Sequence, residues 1–241
     1  MRPLRDKFSY LRGADIFRDL SEYEVSRLAE RALMREYGRG RVILQAGDPP
    51  DLIFVIKEGR VKVSTYSVEG REQILAILEP GDLFCELALV GEHEPAHVEA
   101  FEDTLVCSVR REDLEELLRG HPEIALRIIR ALAARLRQAE GEIENLVFRD
   151  VSGRLASVLL RLGEAYGVQD PQTGVIRLTL RLIHHDLASM IGATRETVTT
   201  ILARFRDEGI TDVEQRFIII RAPGRLRALT RGGHRGAATP P

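Results

Sequence analysis

The sequence predicts an α+β chain in three parts: a β-roll of the jelly-roll type, one long helix, and a small helical domain carrying a short strand. Three observations predict it. Short β-rich runs separated by glycine turns fill residues 40–109, an unbroken heptad seam follows Pro122, and two short amphipathic segments meet at Gly192. At 241 residues the chain has room for two domains, each with its own core.

Taken in order, Ser21 is a good N-cap for a first amphipathic helix, Glu22 to Arg35, with Val25, Leu28, Ala29 and Ala32 at helical spacing. From Gly40 to Val109 the runs 42–44, 52–56, 61–63, 73–78, 98–100 and 105–109 alternate with the turn signals Gly47-Asp48, Glu58-Gly59, Glu69-Gly70 and Pro80-Gly81-Asp82. Several short strands at that spacing make a sandwich or roll. Residues 1–121 therefore form the expected N-terminal roll.

Residues 122–149 are the expected long helix. Ala125, Ile129, Leu132, Leu136, Ala139, Ile143 and Leu146 recur in alternating steps of four and three, and charged residues occupy the other faces. Such a seam suits a second copy of the chain, with Ile129, Leu132, Leu136, Ala139, Ile143 and Leu146 at the interface; the alternative is a stripe packed on the chain's own roll. Residues 150–231 follow as the small domain. It has a helix from Val151 to Tyr166, a loop from Gly167 to Gly174, the helix pair around Gly192, and a strand at 216–221 read as a wing. The tail, 232–241, is too poor in apolar residues to fold.

The helix pair reads as a helix-turn-helix. Leu187, Ala188 and Ile191 on the first segment and Val198, Ile201, Leu202 and Phe205 on the second supply the apolar faces, and the second opens with Thr194, Arg195 and Glu196. A helix enters the major groove near its N-terminus, where Arg can pair with guanine O6 and N7 and Glu can accept from cytosine N4. A plain helical hairpin with a solvated face is the alternative. Charge distribution bears on the choice. The net charge is −2, yet residues 151–241 carry 13 Arg against 8 Asp and Glu, net +5, and residues 1–150 carry 22 basic against 29 acidic residues, net −7. Positive potential able to attract phosphate is confined to the C-terminal part.

Other chemistries have little footing. Cys85 and Cys107 form neither a disulfide framework nor a CxxC metal site. His184, His185 and Asp186 are adjacent, so they face different sides of a helix and suggest no metal. No Ser-His-Asp arrangement or phosphate-binding glycine loop points to an enzyme. With no signal-peptide core and no membrane-length apolar stretch, the expected location is the cytoplasm.

The order of roll, long helix and winged helix-turn-helix, together with Glu58-Gly59-x-Val61, Pro80-Gly81-Asp82-x-Phe84-x-Glu86-Leu87 and Arg195-Glu196-Thr197-Val198, resembles the family of the cyclic-AMP receptor protein and the fumarate–nitrate reduction regulator. Nearly the whole chain is covered. The resemblance implies a homodimeric bacterial transcription regulator that binds a near-palindromic operator in double-stranded DNA and, as an activator, touches RNA polymerase, for which the Gly167–Gly174 loop is a candidate. Arg195 and Glu196 carry over as base readers. The family's third reader is usually Arg, and Thr200 stands there, so Thr199 and Thr200 become shorter-range candidates. His184 and His185, with Thr194 and Thr197, fall where phosphate is held, and such contacts position without specifying.

The roll departs further. Cyclic-nucleotide sensors of this family hold the ribose with Glu, here Glu86 beside Leu87, and neutralise the cyclic phosphate with a downstream Arg. The segment Glu92-His93-Glu94-Pro95-Ala96-His97 has no Arg, and its carboxylates repel phosphate. The N-terminal cysteine cluster of iron–sulfur members is absent, and Leu87 replaces the His expected of haem members, with His93 and His97 leaving haem as an alternative. The expectation is a regulator without a cofactor and not gated by cyclic AMP. The alternatives are a cyclic-nucleotide-dependent regulator and a ligand-sensing module that does not act on DNA.

Overall fold

The computed structural model describes residues 4–49 and 51–231. The tail 232–241, expected to remain unfolded, lies outside the described residues. The elements run α1 (Leu4–Gly13), α2 (Glu22–Arg31), β1 (Leu33–Tyr37), β2 (Val42–Leu44), β3 (Leu52–Glu58), β4 (Val61–Tyr66), β5 (Glu72–Leu78), β6 (Leu83–Phe84), β7 (His97–Ala100), β8 (Thr104–Arg110), α3 (Arg111–Gly120) and α4 (Pro122–Phe148). They continue α5 (Val151–Tyr166), β9 (Gly167–Gln169), β10 (Ile176–Leu178), α6 (His184–Ile191), α7 (Arg195–Asp207), β11 (Thr211–Glu214), β12 (Phe217–Ile220) and α8 (Pro223–Arg231). The chain divides into two compact units, 1–67 with 74–136, and 68–73 with 137–241.

In the first unit two four-stranded sheets, ordered β1-β8-β3-β6 and β2-β7-β4-β5, make the roll. Strand alternation sorts side chains into two cores. On β3, Ile53 and Val55 face the helices while Phe54 and Ile56 face the second sheet; on β8, Leu105, Cys107 and Val109 go one way and Val106 the other. Because both faces of this sheet are covered, β3 and β8 read as continuous apolar runs rather than alternating ones. Phe54 and Phe84 stack with centroids 4.9 Å apart inside the inter-sheet core.

The helix expected at Glu22–Arg35 is α2, preceded by α1, and it is shorter than its apolar spacing predicts. Ser21 and Glu24 form a reciprocal capping box at its start, with Ser21 N–H donating to Glu24 Oε2 at 2.9 Å. It stops at Arg31, because Ala32 turns extended and Leu33–Tyr37 pair antiparallel with β8. Sheet pairing overrides a weak helical preference there. Gly59 holds the β3–β4 turn at φ 75°, and a Cβ would lie 2.2 Å from the carbonyl oxygen of Asp103, so no other residue fits.

The α4 seam divides by position. Ile124 and Ile128 are buried in the helix-covered core of the roll, whereas Ile129, Leu132, Leu136, Ile143 and Leu146 are exposed, Leu136 and Ile143 at 61% each. Within the first unit, Ile129, Leu132 and Leu136 thus stand outside the core of the roll.

The second unit is built on α5, capped by Asp150, whose carboxylate accepts from Gly153 N–H at 2.7 Å. Leu155, Val158, Leu159 and Leu162 form its buried face. A four-stranded sheet, β11-β12-β10-β9, completes the unit. The Gly167–Gly174 segment, expected as loop, begins with the short strand β9, because Gly167–Gln169 pair with β10.

Candidate nucleic-acid interface and the effector end of the roll

The helix pair is held by its apolar residues and by its caps. Leu187, Ala188 and Ile191 of α6 and Val198, Ile201, Leu202 and Phe205 of α7 are all buried. Gly192 closes α6 at φ 62°, in the left-handed region where glycine costs nothing. Thr194 is the N-cap of α7, its hydroxyl accepting from Thr197 N–H at 3.2 Å and lying 2.9 Å from the Thr197 hydroxyl. These two threonines, candidates for phosphate contact, therefore also build the helix start.

Arg195 and Glu196 occupy the first turn of α7, both are exposed, and neither side chain has a hydrogen-bond or ion-pair partner among the described residues. One turn on, Thr199 donates its hydroxyl proton to the Arg195 carbonyl at 2.8 Å, and Thr200 donates to the Glu196 carbonyl at 3.0 Å. The Thr199 oxygen also meets His184 Nδ1 at 2.8 Å. A hydroxyl has one proton to give, so with that proton on the Arg195 carbonyl the second contact is closed by His184 donating from Nδ1. The hydroxyl of Thr199 is thereby engaged both as donor and as acceptor.

The neighbouring residues separate in the same way. His185 Nε2 lies 3.4 Å from the carboxylate of Glu72, and Asp186, buried at 6% exposure, accepts from Ile183 N–H at 2.8 Å. His184, His185 and Asp186 thus turn to three different partners and do not converge on one point.

The wing adds residues that strand periodicity does not single out. Gln215 and Arg216 form the tip of the β11–β12 hairpin, both with positive φ. The exposed guanidinium groups of Arg177 and Arg181 lie 4.6 and 5.5 Å from the centre of the Phe217 ring, a cation–π arrangement that holds two positive charges at the wing. Arg221 differs: it pairs with Asp212 at 2.7 Å and Glu214 at 2.6 Å, so its charge is neutralised. The only hint of these pairings in the sequence was the local excess of arginine.

At the effector end of the roll Glu86 opens a short 3₁₀ turn, Glu86–Val90, beside Leu87. Its carboxylate accepts from Arg135 of α4 at 2.8 Å, and Arg135 also donates to the carbonyl of Leu83. Burial and the nearby Glu86 charge push the Glu94 carboxyl above the ordinary carboxylate value, with the Ala96 backbone and Arg135 opposing. The Cys85 thiol, buried and facing Glu94, Glu86 and Asp48, is pushed up as well and stays protonated. His93 Nδ1 lies 3.0 Å from the Gly47 carbonyl, and the His97 ring packs edge-on against Tyr66 at 5.2 Å, so the two histidines are engaged separately.

Comparison with known proteins agrees with this geometry. Residues 34–121 match the family model of the cyclic nucleotide-binding domain, and residues 153–229 match that of the Crp-like helix-turn-helix domain. The chain is 31% identical over 222 residues to the CRP-like cAMP-activated global transcriptional regulator of Mycobacterium tuberculosis, covering 92% of this chain and 98% of that protein. It is 31% identical over 223 residues to the cyclic AMP receptor protein of Thermus thermophilus, covering 92% and 99%. Among solved structures, a CooA mutant from Carboxydothermus hydrogenoformans superposes with a TM-score of 0.73 at 28% identity, covering 88% of this chain and 91% of that one. With a cyclic nucleotide-binding roll, a long helix and a Crp-like winged helix-turn-helix in that order, the chain belongs to the CRP/FNR family of transcription regulators.

Proposed function

We propose that this regulator works as a homodimer that reads a near-palindromic operator in the cytoplasm through Arg195 and Glu196, without gating by cyclic AMP. The observation that carries the reading is the pair of exposed, unpartnered side chains in the first turn of α7. Groups that could have been neutralised within the protein, as Arg221 is, have been left for an outside partner. Arg177, Arg181 and Arg216 then serve the phosphate backbone, and His184, His185, Thr194 and Thr197 fix the register.

The exposed stripe of Ile129, Leu132, Leu136, Ala139, Ile143 and Leu146 supports pairing with a second copy. Two-fold symmetry in the protein would be mirrored in the operator. The Asp170–Gly174 turn, stiffened by Asp170 accepting from Gln172 N–H at 2.8 Å, is the candidate contact for RNA polymerase.

Independence from cyclic AMP is supported by the charge at the effector end. Glu86 could hold a ribose hydroxyl, but Arg135 already engages it, and Glu94 adds a second acidic side chain beside it rather than a further cation. That arrangement supports a regulator that takes no cyclic nucleotide, and the separate engagements of His93 and His97 support one without haem. A cyclic-nucleotide-dependent regulator is the second reading, favoured by Glu86 and by the cAMP-activated relative. A module acting on a protein partner instead of DNA is the third. Selection of bound duplexes from a random pool, with and without cyclic AMP, separates them. The proposal expects one two-fold symmetric sequence under both conditions. Enrichment only with the nucleotide supports the second reading, and no enrichment in either condition supports the third.

A further inference from the structure

The recognition helix carries one departure with a definite chemical content, at Thr200. Its side chain is exposed and sits four residues after Glu196, so the two share a helix face. The hydroxyl proton of Thr200 is committed to the Glu196 carbonyl at 3.0 Å. Such back-bonding turns the hydroxyl toward its own helix. What remains to present outward is a methyl group and an acceptor lone pair. Cytosine N4 and adenine N6 both offer an amino donor to that lone pair, so the hydroxyl does not choose between G·C and A·T, and the choice falls to the methyl. An A·T pair offers the thymine C5-methyl and the adenine N6 amino donor side by side. Both match what Thr200 has left.

Thr199 has the same methyl and the same back-bond, but its oxygen is turned to the start of α6. It gives its proton to the Arg195 carbonyl and takes one from His184, each at 2.8 Å, which ties the start of α6 to the first turn of α7. From this difference between adjacent threonines we infer that Thr200 is a specificity-determining residue that selects an A·T pair beside the base pair read by Glu196, by packing its methyl on that of thymine. Thr199 is a positioning residue. The inference rests on the DNA-reading function proposed above.

The test uses the full chain and the duplex it selects, with each half-site thymine replaced in turn by deoxyuridine, which lacks only the methyl. One position is expected to lower wild-type affinity about fourfold, the factor that one buried methyl-sized group corresponds to. At that position Thr200→Val, which keeps a methyl, retains the loss, and Thr200→Ser, which has none, abolishes it. A selected duplex indifferent to uracil at every position, or a loss that persists unchanged in Thr200→Ser, overturns the assignment of Thr200 and leaves the proposed function standing. Failure to recover any sequence-selective duplex overturns the proposed function itself, and the inference with it.

Discussion

The start of the recognition helix and the effector end of the roll are both places where charged side chains gather at the opening of a short helical segment, and they treat charge in opposite ways. In the first turn of α7 the hydroxyls of Thr194, Thr199 and Thr200 satisfy backbone groups, so Arg195 and Glu196 carry no structural duty. At Glu86 the charge is answered from within, by Arg135, which also serves the carbonyl of Leu83. A ligand meeting Arg195 finds an open donor fork. A ligand meeting Glu86 must first exchange it away from a half-buried arginine, and breaking such a pair is costly. One motif can thus keep its residues yet lose its availability.

That contrast can be broken at several points. The largest effect is expected from Leu136→Asp on the exposed stripe of α4, which in the proposed homodimer would remove the second copy and with it simultaneous engagement of two half-sites. Operator affinity should fall by about 10²–10⁴-fold, the usual scale of avidity, with a monomeric mass by sedimentation. Arg195→Ala should follow, at about 1–3 kcal/mol for the selected operator and almost nothing for unrelated DNA, measured by titration at fixed salt. Equal losses on both DNAs would show that Arg195 holds phosphate rather than base. Thr194→Ala removes the N-cap and should cost about 1 kcal/mol of stability, lowering the thermal midpoint by about 2–4 °C, read by calorimetry.

The smallest effect belongs to the roll and should leave DNA untouched. His121 bridges Glu24 at 2.6 Å and Glu123 at 3.0 Å. The Glu24 bond chiefly holds its imidazolium above the ordinary value of 6.5, while Ser21 and then His121 hold the Glu24 carboxyl down at about 2. The histidine contribution is complete below pH 6.5 and lost as pH rises through its raised value. That of Glu24 is complete above pH 4.5 and lost as pH falls toward 2. His121→Gln should therefore lower the melting temperature most between these two limits and progressively less in alkaline buffer. A difference independent of pH would deny the bridge.

Much of this was legible in the residues. Six strands of the roll, the α5 helix and the helix pair follow from periodicity and turn chemistry because their apolar patterns agree with their burial, whereas the stripe of α4 is apolar and exposed. Periodicity missed the helices α1, α3 and α8, which no run had singled out, and two strands of the roll that exist by tertiary pairing. β1 continues an amphipathic helix in sequence and is a strand only because β8 lies open beside it, and β6, two residues long, exists by pairing with β3. At the candidate site, the identity of Arg195 and Glu196 could be read from the motif. The engagement of Thr199 by His184 could not, since fifteen residues of helix and turn separate them and only the crossing of α6 and α7 brings the imidazole to the hydroxyl. The Glu86–Arg135 pair was hidden for the same reason, across 49 residues.

The most direct test of the central claim is an equilibrium titration of the full chain against its selected duplex, with and without saturating cyclic AMP. Equal affinities in the two buffers, both falling steeply with salt as phosphates are neutralised, are the predicted result. An operator affinity that rises severalfold only when the nucleotide is present would contradict it, and would mean that Glu86 can be won from Arg135 after all.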